Sequence, residues 1–579
     1  MPIAAPYHDD FELERLEDDR GNNLDDPDAP LPERVLDEDE TAAVRPRWLE
    51  NSPPWTRSWL NRAHRTMDSI RPRWLDDRPR WNSPMLDKAF AIVRPRLTVG
   101  YVLCSLIVLY VLYCYIIWSP LFASKLPRYT GPFDVGAVDI EVPVDKPRTV
   151  VEGVFKKDGK SAFELDTVLF TVYYPAVKGP RSSPSKHKWF PKPISLIAEG
   201  YATAAHFNNF FSRGLFTFAL WGLAGSIEIP AKVDVPLLKQ AKEGEKDQNE
   251  QFQVVVLSHG DISSRTDYTA YCGELASRGI VVATIEHRDG SCPGSVVHLS
   301  NSKQKNVMLF SADQLKPAEG SDEVTNDDWR FKKLAFRDAE IEETVSVLQK
   351  LNAGEGEEIF KRNYRKEGKY LGDWEKRLNF SEVVIAGHSF GATGALQALK
   401  NANKTSSDQK AWANPAIGGI ILDPGKSSGK LNTDIDVPLL IVHSDSWSKA
   451  RTIFYGRPHF DTVRDIALDV LKRCGATWFM TSLKTSHPSV TDAPLIEPLL
   501  LSWTTGATID VQEGLREYVR VSMEFIYFLR NGTKEGVLGV GVTHEAYGND
   551  TRSEDQKEKM EKDVTKYWEV HVAPSTEKS

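Results

Sequence analysis

Between Val383 and Lys400 a β-branched apolar run, Val383-Val384-Ile385-Ala386, meets Gly387-His388-Ser389-Phe390-Gly391. It then passes at once into a helix-forming stretch, Ala395-Leu396-Gln397-Ala398-Leu399-Lys400. A strand that gives way directly to a helix must turn within a few residues. The residue at the apex takes an unusual backbone conformation, and its neighbours on either side must be small enough to let the turn close. Gly387 and Gly391 supply that room. A serine at such an apex carries its hydroxyl out at the end of a strand, which is where a nucleophile is useful. Gly-x-Ser-x-Gly alone recurs by chance; the strand before it and the helix after it make Ser389 the candidate nucleophile.

The same texture extends on both sides. Strand-like runs at Thr167–Tyr174, Gln253–Leu257, Ile280–Ile285, Glu382–Ala386, Ile417–Leu422 and Val437–Val442 alternate with helical patterns. One such pattern is Phe336–Leu351, with Ile341, Val345 and Leu348 on one face. Near-continuous apolar strands separated by helices predict a mainly parallel sheet covered on both faces. With the strand–Gly-x-Ser-x-Gly–helix unit, the expected class is an α/β-hydrolase fold, placed at residues 126–575. The other segments of the 579-residue chain lie before it.

Residues 1–96 read as a disordered tail. The first forty are dominated by Asp and Glu, a composition that buries too little to offset the entropy of ordering. Arg-Pro-Arg-Trp then recurs at Arg45, Arg71 and Arg78, with a truncated copy at Arg94. Proline keeps these units extended, and they suit either a solvated linker or a juxtamembrane surface of anionic headgroups. No charge occurs from Leu97 to Ser124, and residues 97–119 are long and apolar enough to predict one transmembrane helix. Arg80, Lys88, Arg94 and Arg96 precede it, against Lys125 and Arg128 after it, so the N-terminus is expected in the cytosol and the globular part in a lumen or outside the cell. The sequons at Asn379, Asn403, Asn531 and Asn549 all follow the span, as that orientation requires of a glycoprotein. A formal charge of -9 argues against nucleic acid as a partner. The five cysteines have neither metal-ligand spacing nor a disulfide framework.

A serine hydroxyl needs a histidine base, a carboxylate to orient it, and donors for the developing oxyanion. The order along the chain in this fold is serine, acid, histidine. Of the downstream histidines, His443 lies inside a strand-like run, while His487 sits in a Ser/Thr-rich loop after Trp478–Leu483, a candidate last strand. His487 is the expected base. Asp423 and Asp445 each end an apolar run, and the pattern leaves both open as the acid. The oxyanion amides are assigned to Phe390, directly after the nucleophile, and to Asp261 in Ser258-His259-Gly260-Asp261, although an aspartate side chain there should point away.

Several stretches resemble one family. Gly387–Thr393, Thr130-Gly131-Pro132-Phe133-Asp134-Val135-Gly136, Ser258-His259-Gly260 and Leu275–Asp289, the last with Ile285-Glu286-His287-Arg288-Asp289, are similar to the platelet-activating-factor acetylhydrolases, the plasma-type serine phospholipases A2. The resemblance spans roughly residues 126–530. It implies Ser389, Asp423 and His487 as the triad, tipping the acid toward Asp423. It also implies hydrolysis of short or oxidised sn-2 acyl esters of phospholipids without calcium, and no cofactor or metal. Three features depart from the family: Asp261 where a leucine-like residue is usual, Pro424-Gly425 where an aromatic segment is usual, and the anchor itself. The apolar block 207–227 is too short to span a bilayer. It is either a core helix or, as the resemblance implies, a membrane-facing entrance for lipid. A broader carboxylesterase and an inactive membrane-tethered scaffold are the competing expectations.

Overall fold

The computed structural model describes residues 99–117 and 120–575, apart from residues 122, 183, 240–250, 300–302, 318–321, 402–411, 413, 499–503 and 551–561. The tail read at 1–96 and the sequon at Asn403 lie outside the described residues.

Ten strands form one sheet: β1 (Asp134–Thr149), β2 (Glu164–Ala176), β3 (Lys232–Val233), β4 (Phe252–Ser258), β5 (Val281–Ile285), β6 (Leu378–His388), β7 (Ala416–Leu422), β8 (Leu439–Ser444), β9 (Thr477–Ser482) and β10 (Trp568–Val572). Their order is β10-β9-β8-β7-β6-β4-β5-β2-β1-β3. From β9 to β5 every neighbouring pair is parallel, while β10 is antiparallel to β9, β2 to β5 and β1 to β2, and β3 pairs parallel with β1. The centre is the mainly parallel, helix-covered sheet of the α/β-hydrolase class.

Alternation along each central strand explains the continuous apolar runs. Val254 and Val256 of β4, with Val383 and Ile385 of β6, face one buried cluster. Val255 and Leu257, with Val384 and Ala386, face the other. One face is covered by α3 (Asn326–Lys350) through Ile341, Val345 and Leu348, the other by α5 (Val511–Asn531) through Leu515, Val519 and Phe525. A strand with both sides buried has no polar face to show.

Three strands of the sheet escaped the sequence reading: β1, the two-residue β3 and β10. In β1 the alternation is broken by Asp139 and Glu141, which are buried but paired: Arg265 Nη2 donates to Asp139 Oδ2 at 2.7 Å, and Arg288 Nη2 to Glu141 Oε1 at 2.6 Å. The Trp478–Leu483 run is not the last strand, because β10 pairs antiparallel outside β9.

Helix α1 (Val99–Ile116) belongs to one compact unit, and residues from Ser119 onward to another. Among the described residues no helix is long and apolar enough to cross a membrane. The 18 residues of α1 rise about 27 Å at 1.5 Å each, short of a hydrocarbon core of about 30 Å. The spanning helix expected over 97–119 is therefore seen as a shorter apolar helix, and residues 97, 98, 118 and 119 lie outside the description. The block 207–227 contains α2 (Phe210–Ala224), whose first turn is capped by the Asn209 side chain. It is not a core helix: Phe210 is 85% exposed and Phe211 83%, and Leu215, Phe218 and Trp221 are exposed beside them.

Candidate active site

Because β6, β7 and β9 are parallel, their carboxyl ends share one edge of the sheet. Ser389 follows β6, Asp423 follows β7 and His487 lies in the loop after β9. Ser389 has φ 56° and ψ −125° and opens α4 (Phe390–Ala398). A Cβ on Gly387 would lie 2.1 Å from the Gly391 carbonyl oxygen, and one on Gly391 would lie 2.1 Å from that of Ser258. Only glycine fits either position. The Ser389 amide donates to Leu422 O at 3.0 Å, which ties the turn to the residue before Asp423.

Asp423 also has a positive φ, 46°, which swings its side chain across the end of β8. There Ser444 donates to it twice, from N at 2.6 Å and from Oγ at 2.7 Å. His487 Nδ1 donates to Asp423 Oδ2 at 2.9 Å. Asp445 is occupied elsewhere, accepting from Lys484 N at 3.1 Å and Tyr547 Oη at 2.6 Å. His443 is a buried histidine of β8, edge-on to Phe479 at 4.8 Å and roughly parallel to His459 at 5.6 Å.

Three neighbours of this pair had no signature in the sequence. The indole of Trp447 stacks on the His487 ring at 4.0 Å and 13°, while its Nε1 donates to Pro424 O at 3.1 Å. One side chain thus braces both the histidine and the residue after the aspartate. His388 Nε2 donates to His487 O at 3.0 Å, and its Nδ1 accepts from Tyr268 Oη at 2.9 Å. Tyr268 Oη in turn accepts from Gly260 N at 3.0 Å, closing a relay from the His-Gly turn to the histidine loop. Gly260 itself passes over Ser389, since a Cβ there would lie 3.2 Å from Ser389 Cβ.

Burial pushes the Asp423 carboxyl up to about 6, against the hydrogen bonds from Ser444. Burial, and then the neighbouring His487, push His388 down to about 3, so it stays neutral and adds no charge to the site. Ligand atoms of His388, Asp423 and His487 lie within 4.8 Å of one another. Both nitrogens of His388 are engaged, and Nδ1 of His487 is bonded to Asp423, so the trio is a hydrogen-bonded network rather than a ready metal site.

Phe390 directly follows the serine, and Asp261 directly follows Gly260, which approaches that serine. The Asp261 carboxylate accepts from Lys333 Nζ at 3.0 Å. Beneath them the Ile285–Asp289 string enters a buried polar layer. The His287 amide donates to His259 Nε2 at 3.0 Å, and Arg337 Nη1 donates to His259 O at 2.5 Å. His287 also lies between Ser258 Oγ and Glu340 Oε2, each at 2.7 Å. This second serine–histidine–carboxylate line is fully buried.

Residues 121–536 match the family described as platelet-activating factor acetylhydrolase, isoform II. The chain belongs to that family. Similar relatives are the platelet-activating factor acetylhydrolases of Cavia porcellus, 25% identical over 56% of this chain and 62% of its own length, and of Canis lupus familiaris, 23% identical over 56% and 60%. That of Gallus gallus is 26% identical over 40% and 50%. The chain spans between half and about three-fifths of the length of these curated relatives.

If Ser389 is activated through His487 and Asp423, its reactivity has an acid limb. Asp423 must be ionised to hold His487 as a neutral acceptor, and that state is lost as pH falls through about 6. The rate of fluorophosphonate labelling at Ser389 should drop about tenfold per unit below that pH. A rate flat from pH 7 to 4 would contradict the arrangement.

Proposed function

We propose that this family member is a serine ester hydrolase that cleaves short, acetyl-like sn-2 acyl groups from phospholipids such as 1-alkyl-2-acetylglycerophosphocholine. The observation that carries this is the left-handed Ser389 on the same sheet edge as the hydrogen-bonded His487–Asp423 pair. Ser389 Oγ attacks the ester carbonyl and passes its proton to His487 Nε2, while Asp423 steadies the imidazolium. The amides of Phe390 and Asp261 receive the oxyanion; that of Gly260 is already committed to Tyr268. Each such donor is worth about 3 kcal/mol in the transition state. His487 returns the proton to the departing lysophospholipid oxygen, and water then cleaves the acyl-enzyme by the same route. The relatives' printed names support the phospholipid class. Wild-type protein should release acetate from an sn-2 acetyl phosphatidylcholine with chelator present, and Ser389→Ala should release none while staying folded. Cleavage of an aryl ester alone would favour the broader carboxylesterase. Silence on both would favour the scaffold.

The apolar elements fit a lipid substrate. α1 exposes Leu103, Ile107, Leu109 and Ile116 around its circumference, an arrangement water does not favour. With the flanking residues 97–98 and 117–119 it is long enough to anchor the chain, with the catalytic unit on the lumenal or external side. A chain that resists alkaline carbonate extraction and carries glycan at Asn531 would bear out anchor and orientation together. Release by carbonate would remove the anchor.

The exposed Phe210, Phe211, Leu215, Phe218 and Trp221 of α2 form an apolar surface suited to the headgroup–acyl boundary. Phe211→Ser with Phe218→Ser should raise KM for phospholipid in vesicles several-fold and leave hydrolysis of a soluble aryl ester unchanged. Equal losses on both would mean the helix serves the fold instead.

A further inference from the structure

We propose that Lys333 is a positioning residue for the oxyanion hole. It cancels the charge Asp261 would bring beside the amides that form the hole. This rests on the assignment of those amides in the proposed function.

A carboxylate on the residue that donates to an oxyanion should oppose catalysis, because like charges close together in a partly dry site repel strongly. Asp261 is therefore an odd occupant, and the cation nearest to it in sequence, Arg265, is paired with Asp139 and Glu286 instead. The offset comes from α3, where Lys333 Nζ lies 3.0 Å from Asp261 Oδ1. The two partners are unequally buried: the Lys333 side chain is 2% exposed and that of Asp261 33%. A lysine so deep is costly unless its charge is met. Asp261 meets it as an ion pair, and two aromatic faces take the rest: the Trp329 ring at 4.2 Å and the Phe390 ring at 4.5 Å. One ammonium thus touches the side chains of both residues that supply oxyanion amides.

The next turn of α3 shows that this is a division of labour rather than a general excess of positive charge. Arg337 lies 4.3 Å from the Phe390 ring and donates to His259 O at 2.5 Å, gripping the backbone just before Gly260-Asp261. Its charge is balanced separately, by Asp289 at 2.8 Å. Arg337 and Asp289 hold the base of the turn. Lys333 and Asp261 leave its mouth electrically neutral.

The test is a charge cycle on the full chain: Lys333→Met, Asp261→Asn, the double variant, and Lys333→Arg. With Lys333→Met the carboxylate is uncompensated. Both kcat and the rate of fluorophosphonate labelling should fall about tenfold or more, with KM within about twofold. The double variant leaves no charge unpaired and should recover most of the loss; Lys333→Arg should retain most of the activity. Unfolding midpoints identify any variant lost to misfolding. If Lys333→Met does not fold, the neutral double variant carries the test, and near-normal kcat is expected of it. A double variant as slow as Lys333→Met would overturn the proposal, as would a Lys333→Met of normal kcat. A raised KM at unchanged kcat would also overturn it, assigning Lys333 to an anionic part of the substrate instead. If wild-type Ser389 does not label at all, the triad reading fails and takes the proposal with it. Labelled wild type beside an unrescued double variant removes the proposal alone.

Discussion

The site depends on a close approach between two backbones. The Ser258 carbonyl oxygen at the end of β4 lies 2.1 Å from where a side chain on Gly391 would begin. Because glycine is there, the first turn of α4 presses directly on the last residue of β4. That contact makes neighbours of two things far apart in sequence, the serine turn and the His-Gly turn. Ser389 then needs its left-handed backbone to leave the strand in the space that remains, and Gly387 needs to be bare for the same reason. The reactive geometry follows from packing, and such backbone strain is tolerated because the sheet on either side fixes it.

Holding that contact requires polar groups in places where water cannot reach, and each charge there must be met. Arg337 is buried with Asp289, Arg265 with Asp139 and Glu286, and Arg288 with Glu141. Buried ion pairs of this kind add little stability over apolar packing, yet breaking one costs about 3–5 kcal/mol, so they fix geometry more than they strengthen it. The neutral histidines play the same part without charge. Burial, with the nearby Arg337, pushes His259 down to about 4, which keeps it a neutral bridge between the Gly260 carbonyl and the His287 amide. The layer under the site behaves as a rigid floor rather than as chemistry.

Much of the fold was legible because central strands buried on both faces must be apolar throughout, and Val254–Leu257 or Val383–Ala386 can hardly be anything else. The edges were not. β1 hides its strand character behind Asp139 and Glu141, whose partners Arg265 and Arg288 lie more than a hundred residues away. The serine turn was legible for a local reason, since Gly387 and Gly391 flank Ser389 within five residues, even though the carbonyl that keeps Gly391 bare belongs to Ser258 on another strand. Trp447, Tyr268 and Lys333 were not, because each reaches the site from an element whose own pattern says nothing of it. A departure such as Asp261 looks like a fault in one dimension, and its compensation exists only in three.

The two candidate acids show where sequence pattern stops. Asp423 and Asp445 both end apolar parallel strands, so both arrive at the same edge. What separates them is a single backbone conformation. With φ 46° Asp423 turns back over β8, where the amide and hydroxyl of Ser444 receive its carboxylate. Asp445 instead starts the short helix that Ser444 caps, and its oxygens face Lys484 N and Tyr547 Oη. Ser444 therefore serves both outcomes, as donor to one aspartate and cap for the helix that carries the other away. The histidine loop after β9 needs one carboxylate, and the strand end that can bend toward it supplies it.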